Sequence, residues 1–338
     1  MLMQWYGHAY SLGYFCKLFG KSRQAFYEQK TVVHSKPLEE SMVLKWVLEI
    51  RKDLPRCGTS KLYESLKPRL VEHHIKLGRD ALYTLLDNYG LLIRQRKSRA
   101  ITTNSNHPYR KYGNLIRELV LDQAGELWVS DITYIRTAKG FSYLSIITDA
   151  YSRKIVGYKL HPTLEAKGAI DALLMASKDL KRTDKLIHHS DRGIQYCCQD
   201  YVNTTAHLGI QLSMTENGDP YENALAERVN GILKYEFLLN QVFESHQTAQ
   251  IAVDRAIKSY NELRTHDSCD RLTPVVAHEQ KGVLVKRWKK RNIQQKETKS
   301  SVEKVSDEVI KMQEKSQENQ LKPHIQHTNF SPIKPSNL

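Results

Sequence analysis

Between Leu127 and Leu160 apolar and polar residues alternate with a period of two, whereas elsewhere apolar residues recur at helical spacing. The alternation predicts three antiparallel strands over 128–136, 141–148 and 154–160, with tight turns at Lys139-Gly140 and around 150–152. Helices are predicted over 166–180 and 196–208, strands over 185–190 and 210–214, and a further helix from Pro220 to about Leu238.

The first 98 residues read as short helices. Ser11 to Phe19 is apolar at helical spacing and Gly20 interrupts it. Ser22 can cap a helix over 23–29, a helix-turn-helix spacing. A second amphipathic helix spans 38–51, closed by Asp53 and Pro55. Another pair spans 59–66 and 79–89, with Gly90 as its stop. Four segments follow: helical, helix-turn-helix-like residues 1–98, a linker over 99–112, an α/β core with closing helices over 113–282, and a polar, basic tail over 283–338. Three antiparallel strands followed by alternating helix and strand is the order of a ribonuclease-H-like fold, a mixed five-stranded sheet with helices.

Charge gives the helical region a partner. The 338 residues carry a net charge of +14, from 51 Lys and Arg against 37 Asp and Glu. Residues 1–112 hold 20 basic and 9 acidic residues, a surplus of 11. Such a surplus favours a polyanion, because basic side chains release counterions condensed on nucleic acid. Arg94, Arg96, Lys97, Arg99, Arg110 and Lys111 follow one another without an acid between them, which suits a segment tracking phosphates. A solvated charge run or a plain helical bundle is the bland alternative. The five cysteines are irregularly spaced, which argues against a disulfide framework and a zinc site and for a reducing compartment. No apolar run approaches the roughly 20 residues that span a bilayer, and no secretory leader is seen, so a cytoplasmic, nucleoid-associated location is expected.

Three acids carry the chemistry. Asp131 interrupts an apolar strand, where an unpaired charge is expensive. Asp191 ends the stretch Ile187-His188-His189-Ser190, and as a turn aspartate before Gly193 it is ambiguous by itself. Glu227 lies on a helix with Glu216, Asp219, Glu222 and Glu236 as competitors. Leu225, Val229, Ile232 and Leu233 define that helix's buried stripe, and Glu227 flanks it, sharing a face with Asn223 and Lys234. Carboxylates from two strands and a helix suit hard divalent cations. Lys234 would direct its ammonium at a phosphate, with Asn223 beside it.

Trp128-Val129-Ser130-Asp131-Ile132-Thr133-Tyr134-Ile135, His189-Ser190-Asp191-Arg192-Gly193 with Gln195-Tyr196, Asn223-Ala224 leading to Glu227, Lys234-Tyr235-Glu236, and Tyr260-Asn261 with Arg264, His266 and Thr273-Pro274 resemble the integrase core of bacterial insertion-sequence transposases. The second-frame products of two-frame insertion sequences are the nearest type, similar in their core to retroviral integrases. Lys21-Ser22-Arg23 and Gly58-Thr59 with Lys61-Leu62-Tyr63 extend the resemblance upstream, over roughly residues 10 to 280. Asp219 and Glu222 depart from it, standing where the family usually carries asparagine and aspartate. No His/Cys zinc module of the retroviral kind is present.

The resemblance implies a DDE-type polynucleotidyl transferase with Asp131, Asp191 and Glu227 holding two Mg2+ or Mn2+ ions. Water frees a 3′-hydroxyl at a transposon end, and that hydroxyl attacks a second phosphodiester. It further implies terminal inverted repeats and target DNA as partners, a homo-multimer, and possible fusion to the first-frame product. Arg23 in the first helices and Arg94, Arg96, Lys97 and Arg99 are the expected DNA contacts, with Lys234 and Asn223. The alternatives are a metal nuclease without strand transfer and a DNA-binding regulator with a dead core. A serine or tyrosine recombinase would need a nucleophile within an arginine cluster, which the sequence does not supply.

Overall fold

The computed structural model describes residues 11–93, 108–117, 119–178, 180, 185–216 and 223–287. Arg94, Arg96, Lys97, Arg99, the loop acids Asp219 and Glu222, and the tail from 288 onward lie outside the described residues.

The alternating segment forms β1 (Leu127–Thr137), β2 (Gly140–Asp149) and β3 (Ile155–His161), each antiparallel to the next. Thr137 pairs with Gly140, whose φ of 122° closes the first turn in a conformation open to glycine. β4 (Ile187–Ser190) then runs parallel to β1, and β5 (Gln211–Met214) parallel to β4. The sheet order β3-β2-β1-β4-β5 is the mixed, ribonuclease-H-like arrangement expected from the element order.

Helices cover both faces of the sheet. On one face, α5 (Ala166–Ser177), α6 (Ile194–Cys197) and α7 (Gln199–His207) bury Trp128 and Ile147 in a cluster with Ala172, Leu173, Tyr196 and Tyr201. Gly157 of β3 makes this contact possible, since a Cβ there would sit 2.2 Å from the Ala172 carbonyl oxygen. The opposite face meets α8 (Ala224–Tyr235) and α9 (His246–Glu262), followed by the short α10 (Pro274–His278). Val129 packs with Ala226, and Ile135 with Val229 and Tyr260. Asp131, between Val129 and Ile135 in the alternation, thereby looks toward α8.

The N-terminal region differs from its sequence reading in two respects. α1 (Leu12–Leu18) is capped by Ser11 as expected, but the two helices predicted over 23–29 and 38–51 are one, α2 (Arg23–Asp53), passing through Pro37. Proline removes a single N–H, and no glycine lies between Ser22 and Asp53 to end the helix. Likewise α3 (Thr59–Glu72) continues past Leu66 through Pro68, before α4 (Arg79–Asn88). The second difference is in packing. Val43, Val47, Leu62, Leu66, Leu82 and Leu86 share one apolar cluster with Val229, Leu233, Phe237 and Tyr260. The Arg56 amide donates to the Glu236 carbonyl at 3.0 Å, and Arg255 reaches Lys52 and Asp53. From Val43 onward the helices are docked on the α8–α9 layer.

Candidate active site

α8 presents Asn223, its N-cap, and then Glu227, Asn230 and Lys234 along one stripe, spaced four, three and four residues apart. Two asparagines staple this stripe to β1. Asn230 Nδ2 donates to Asp131 Oδ2 at 2.7 Å, and Asn223 Nδ2 donates to the Ser130 carbonyl oxygen at 3.2 Å. Glu227 lies between these staples and is exposed. Ala226, Val229, Ile232 and Leu233 are buried on the adjoining side, while Leu225 is half-buried.

Strand register brings in the second aspartate. β1 and β4 pair through Val129 and His189, so continuing by two residues sets Asp191 alongside Asp131 as the chain leaves the sheet. The Gly193 amide donates to Asp191 Oδ1 at 3.0 Å. A Cβ on Gly193 would stand 3.0 Å from that same oxygen, so glycine lets the turn fold against the carboxylate.

Electrostatics links the three acids. Asp131 keeps a narrow opening to solvent but is surrounded by protein. Burial first, then the charges of Asp191 and Glu227, push its pKa up to about 7, against hydrogen bonds from Asn230 and the Ile132 amide. Glu227 is shifted upward by desolvation and by Asp191. Burial lowers the pKa of half-buried Lys234, while Asp131 opposes that shift and Arg136 adds to it. The ammonium therefore lies within the field of Asp131.

The geometry can be set beside known proteins. Residues 122–220 and 208–274 each match a family model described as an integrase core domain. An "uncharacterized 31 kDa protein" of insertion element IS600 from Shigella sonnei is 32% identical over 266 residues, 78% of this chain and 97% of that protein. The transposase InsF of insertion sequence IS3A from Escherichia coli K12 is 32% identical over 226 residues, 65% of this chain and 75% of that one. The chain belongs to the integrase-core transposases of insertion sequences. The HTLV-2 integrase catalytic core domain, solved with magnesium, matches 46% of this chain and 98% of its own at 20% identity and a TM-score of 0.37.

The donor set of this transposase fits a hard divalent cation: burial first, and then repulsion from Asp191, raises both Asp131 and Glu227, and a cation between the carboxylates would relieve both. Among the described residues no three His, Cys, Asp or Glu side chains already converge into an ion-holding group, and like-charge repulsion opposes such convergence.

Asn223 is placed differently from its expected role. It is 4% exposed and its amide is engaged with Ser130, so it supports β1 instead of facing a polar substrate. Arg23 is exposed at the start of α2, after the Ser22 cap. Two residues escaped the sequence reading. Asn230 interrupts the buried stripe of α8, a signal that a polar partner waits opposite. Tyr196 is 2% exposed, and burial followed by the charges of Tyr201, Asp191 and Asp131 holds its phenol well above the usual range. Its place in the floor of the site follows from α6 packing under β4, which local sequence does not reveal.

Proposed function

We propose that this transposase cleaves and joins DNA at the ends of its insertion sequence through Asp131, Asp191 and Glu227. The observation that carries this reading is the α8 stripe, which aims Glu227 and Lys234 at an Asp131 already repelled by Asp191. Mg2+ or Mn2+ ions, expected as a pair, would polarise the phosphoryl oxygens and stabilise the attacking and leaving oxygens when bound. Asp131 and Asp191 supply oxygen ligands from neighbouring strands, and Glu227 supplies the third from α8. Lys234 neutralises a non-bridging phosphate oxygen beside them. Water opens the end, and the freed 3′-hydroxyl attacks a second phosphodiester.

The helices upstream of the core, with Arg23 and the basic segment carrying Arg94, Arg96, Lys97 and Arg99, bind the terminal inverted repeats. Joining two ends requires more than one copy of the chain, alone or fused to the first-frame product. No helix among the described residues is long and apolar enough to cross a membrane, in keeping with a partner in the nucleoid.

A labelled transposon end, incubated with target DNA in Mg2+ or in EDTA, tests the reading. Joined product is expected from the wild type in Mg2+ only. Asp131→Asn, Asp191→Asn and Glu227→Gln should each abolish it, and undiminished joining by any of them would sink the assigned role. Cut but never joined ends from the wild type would favour the nuclease.

A further inference from the structure

The β1–β2 hairpin continues beyond the carboxylates and carries three aromatic rings together. Tyr134 and Tyr143 are a directly opposed cross-strand pair with centroids 5.2 Å apart, and Phe141 meets the Tyr134 ring edge-on at 6.0 Å. By the alternation all three leave the sheet face that α5 covers elsewhere. The first turn of α5 seats on Ser145 and His161, however, where Gly168 lies against both. Past that point α5 no longer covers the rings: Phe141 is 48% exposed, and both tyrosines are half-buried.

An aromatic cross-strand pair stabilises a hairpin in any protein, so clustering alone is no site. Three further observations point to an occupant. Tyr134 is three residues from Asp131 on one strand, about 10 Å at ordinary strand rise and on the opposite face, and the Asp131 charge is still felt at its hydroxyl. Among the described residues, β1 pairs with β4 only over Leu127–Val129 and next meets a backbone neighbour at Phe243, beside Thr137, so from Asp131 to Ile135 its edge carries no neighbouring strand. The hairpin has no acid between Ile132 and Ile146, and Arg136 and Lys139 are exposed beside the rings. Partly exposed rings flanked by cations, reached from the carboxylates around the unpaired edge of β1, match the chemistry of an unstacked nucleobase.

We propose that Tyr134, Tyr143 and Phe141 form a stacking platform for an unpaired base of the DNA end held at the carboxylates. The proposal rests on the DNA-joining reading above. The base stacks on the exposed rings while Arg136 meets the adjacent phosphate, and the end is thereby kept frayed at the scissile position. No sequence-specific contact is needed, since every base offers a π-face.

The test uses the full chain in Ca2+ or EDTA, where binding is read without cleavage. The probes are a blunt transposon-end duplex and the same duplex with a few unpaired nucleotides, one of them 2-aminopurine. The wild type should bind the unpaired end roughly tenfold more tightly and quench its fluorescence. Tyr134→Leu and Phe141→Leu should bring that affinity down to the blunt-end value, while Tyr134→Phe, which keeps the ring, should retain the preference. Equal affinity of the wild type for both ends, or an undiminished preference in both leucine variants, overturns the platform. So would leucine variants whose only change is a shift in sedimentation, since the face would then join two copies of the chain. The quenching is independent of the carboxylates' chemical role: if Asp131→Asn still joined DNA, the catalytic assignment would fall and the platform would stand.

Discussion

A carboxylate on the packed face of a strand persists only when something nearby takes up its charge or its hydrogen bonds. At Asp131 a share of that task falls to Asn230, whose amide holds one carboxylate oxygen at 2.7 Å while the Ile132 amide holds the other. Partners that orient a ligand carboxylate typically affect metal affinity by about 10–100-fold. Asn230→Ala should therefore move the Mn2+ concentration for half-maximal strand transfer upward by about that factor, with joining recoverable at high metal. A Mn2+ titration whose midpoint stays at the wild-type value would remove Asn230 from the site. Asn230 shows how far a residue's meaning depends on its neighbours: in sequence it is a polar interruption in an apolar stripe, and its partner lies 99 residues away.

Among the elements, α8 carries Glu227 and Lys234 and must be held at both ends. Its first turn is tied to β1 by Asn223. Its far end is tied by Glu236, which accepts two hydrogen bonds from Arg264, both at 2.8 Å. Burial alone would raise the Glu236 pKa, but Arg264, with Lys61 and Arg228, brings it below the ordinary carboxylate range. Arg264 is 4% exposed and Glu236 is half-buried, so removing one member leaves the other poorly compensated. Arg264→Ala should lower unfolding stability by about 3–5 kcal/mol in a denaturant titration, and Arg264→Leu with Glu236→Leu should recover much of it. A loss within about 0.5 kcal/mol for the single variant would mean that α8 is held otherwise. The motif Tyr260-Asn261, Arg264, His266 thus reads structurally: Asn261 also pairs its amide with both the N–H and the carbonyl of Ile155 at the start of β3.

For the whole molecule, buried histidines make folding sensitive to acid. Burial, then His189, lowers the pKa of His188 to about 3, and burial with nearby Arg264 lowers that of His266 still further. Both stay neutral when folded but gain a proton in the unfolded chain below about pH 6.5, so acid favours unfolding. Asp131, raised to about 7, works the other way, since its folded form binds the extra proton. Two histidine protons less one aspartate proton leave one net proton, so stability in EDTA should fall by about 1.4 kcal/mol per pH unit from about pH 6 toward pH 4. In Asp131→Asn the opposing proton is gone, and the slope should roughly double. A flat profile over that window would show that the histidines are not buried as neutral groups.

The strands, the hairpin turn at Gly140, the Ser22 cap and the order of elements along the core were all legible in the sequence, because period-two alternation and turn chemistry act over a few residues. The sequence also offered the three carboxylates as candidates, Asp131 from its place in an apolar strand, Glu227 from its flank on a helix, and Asp191 only through the family motif around it. Helix length was not: no local signal distinguished two helices from one running through Pro37. Nor could sequence show that Leu62 and Leu66 share a core with Tyr260, that Asn223 faces inward, or that three rings gather on one uncovered corner of the sheet. Those facts depend on which surfaces meet across many residues of chain, and the burial of apolar area that decides it is a property of the assembled fold.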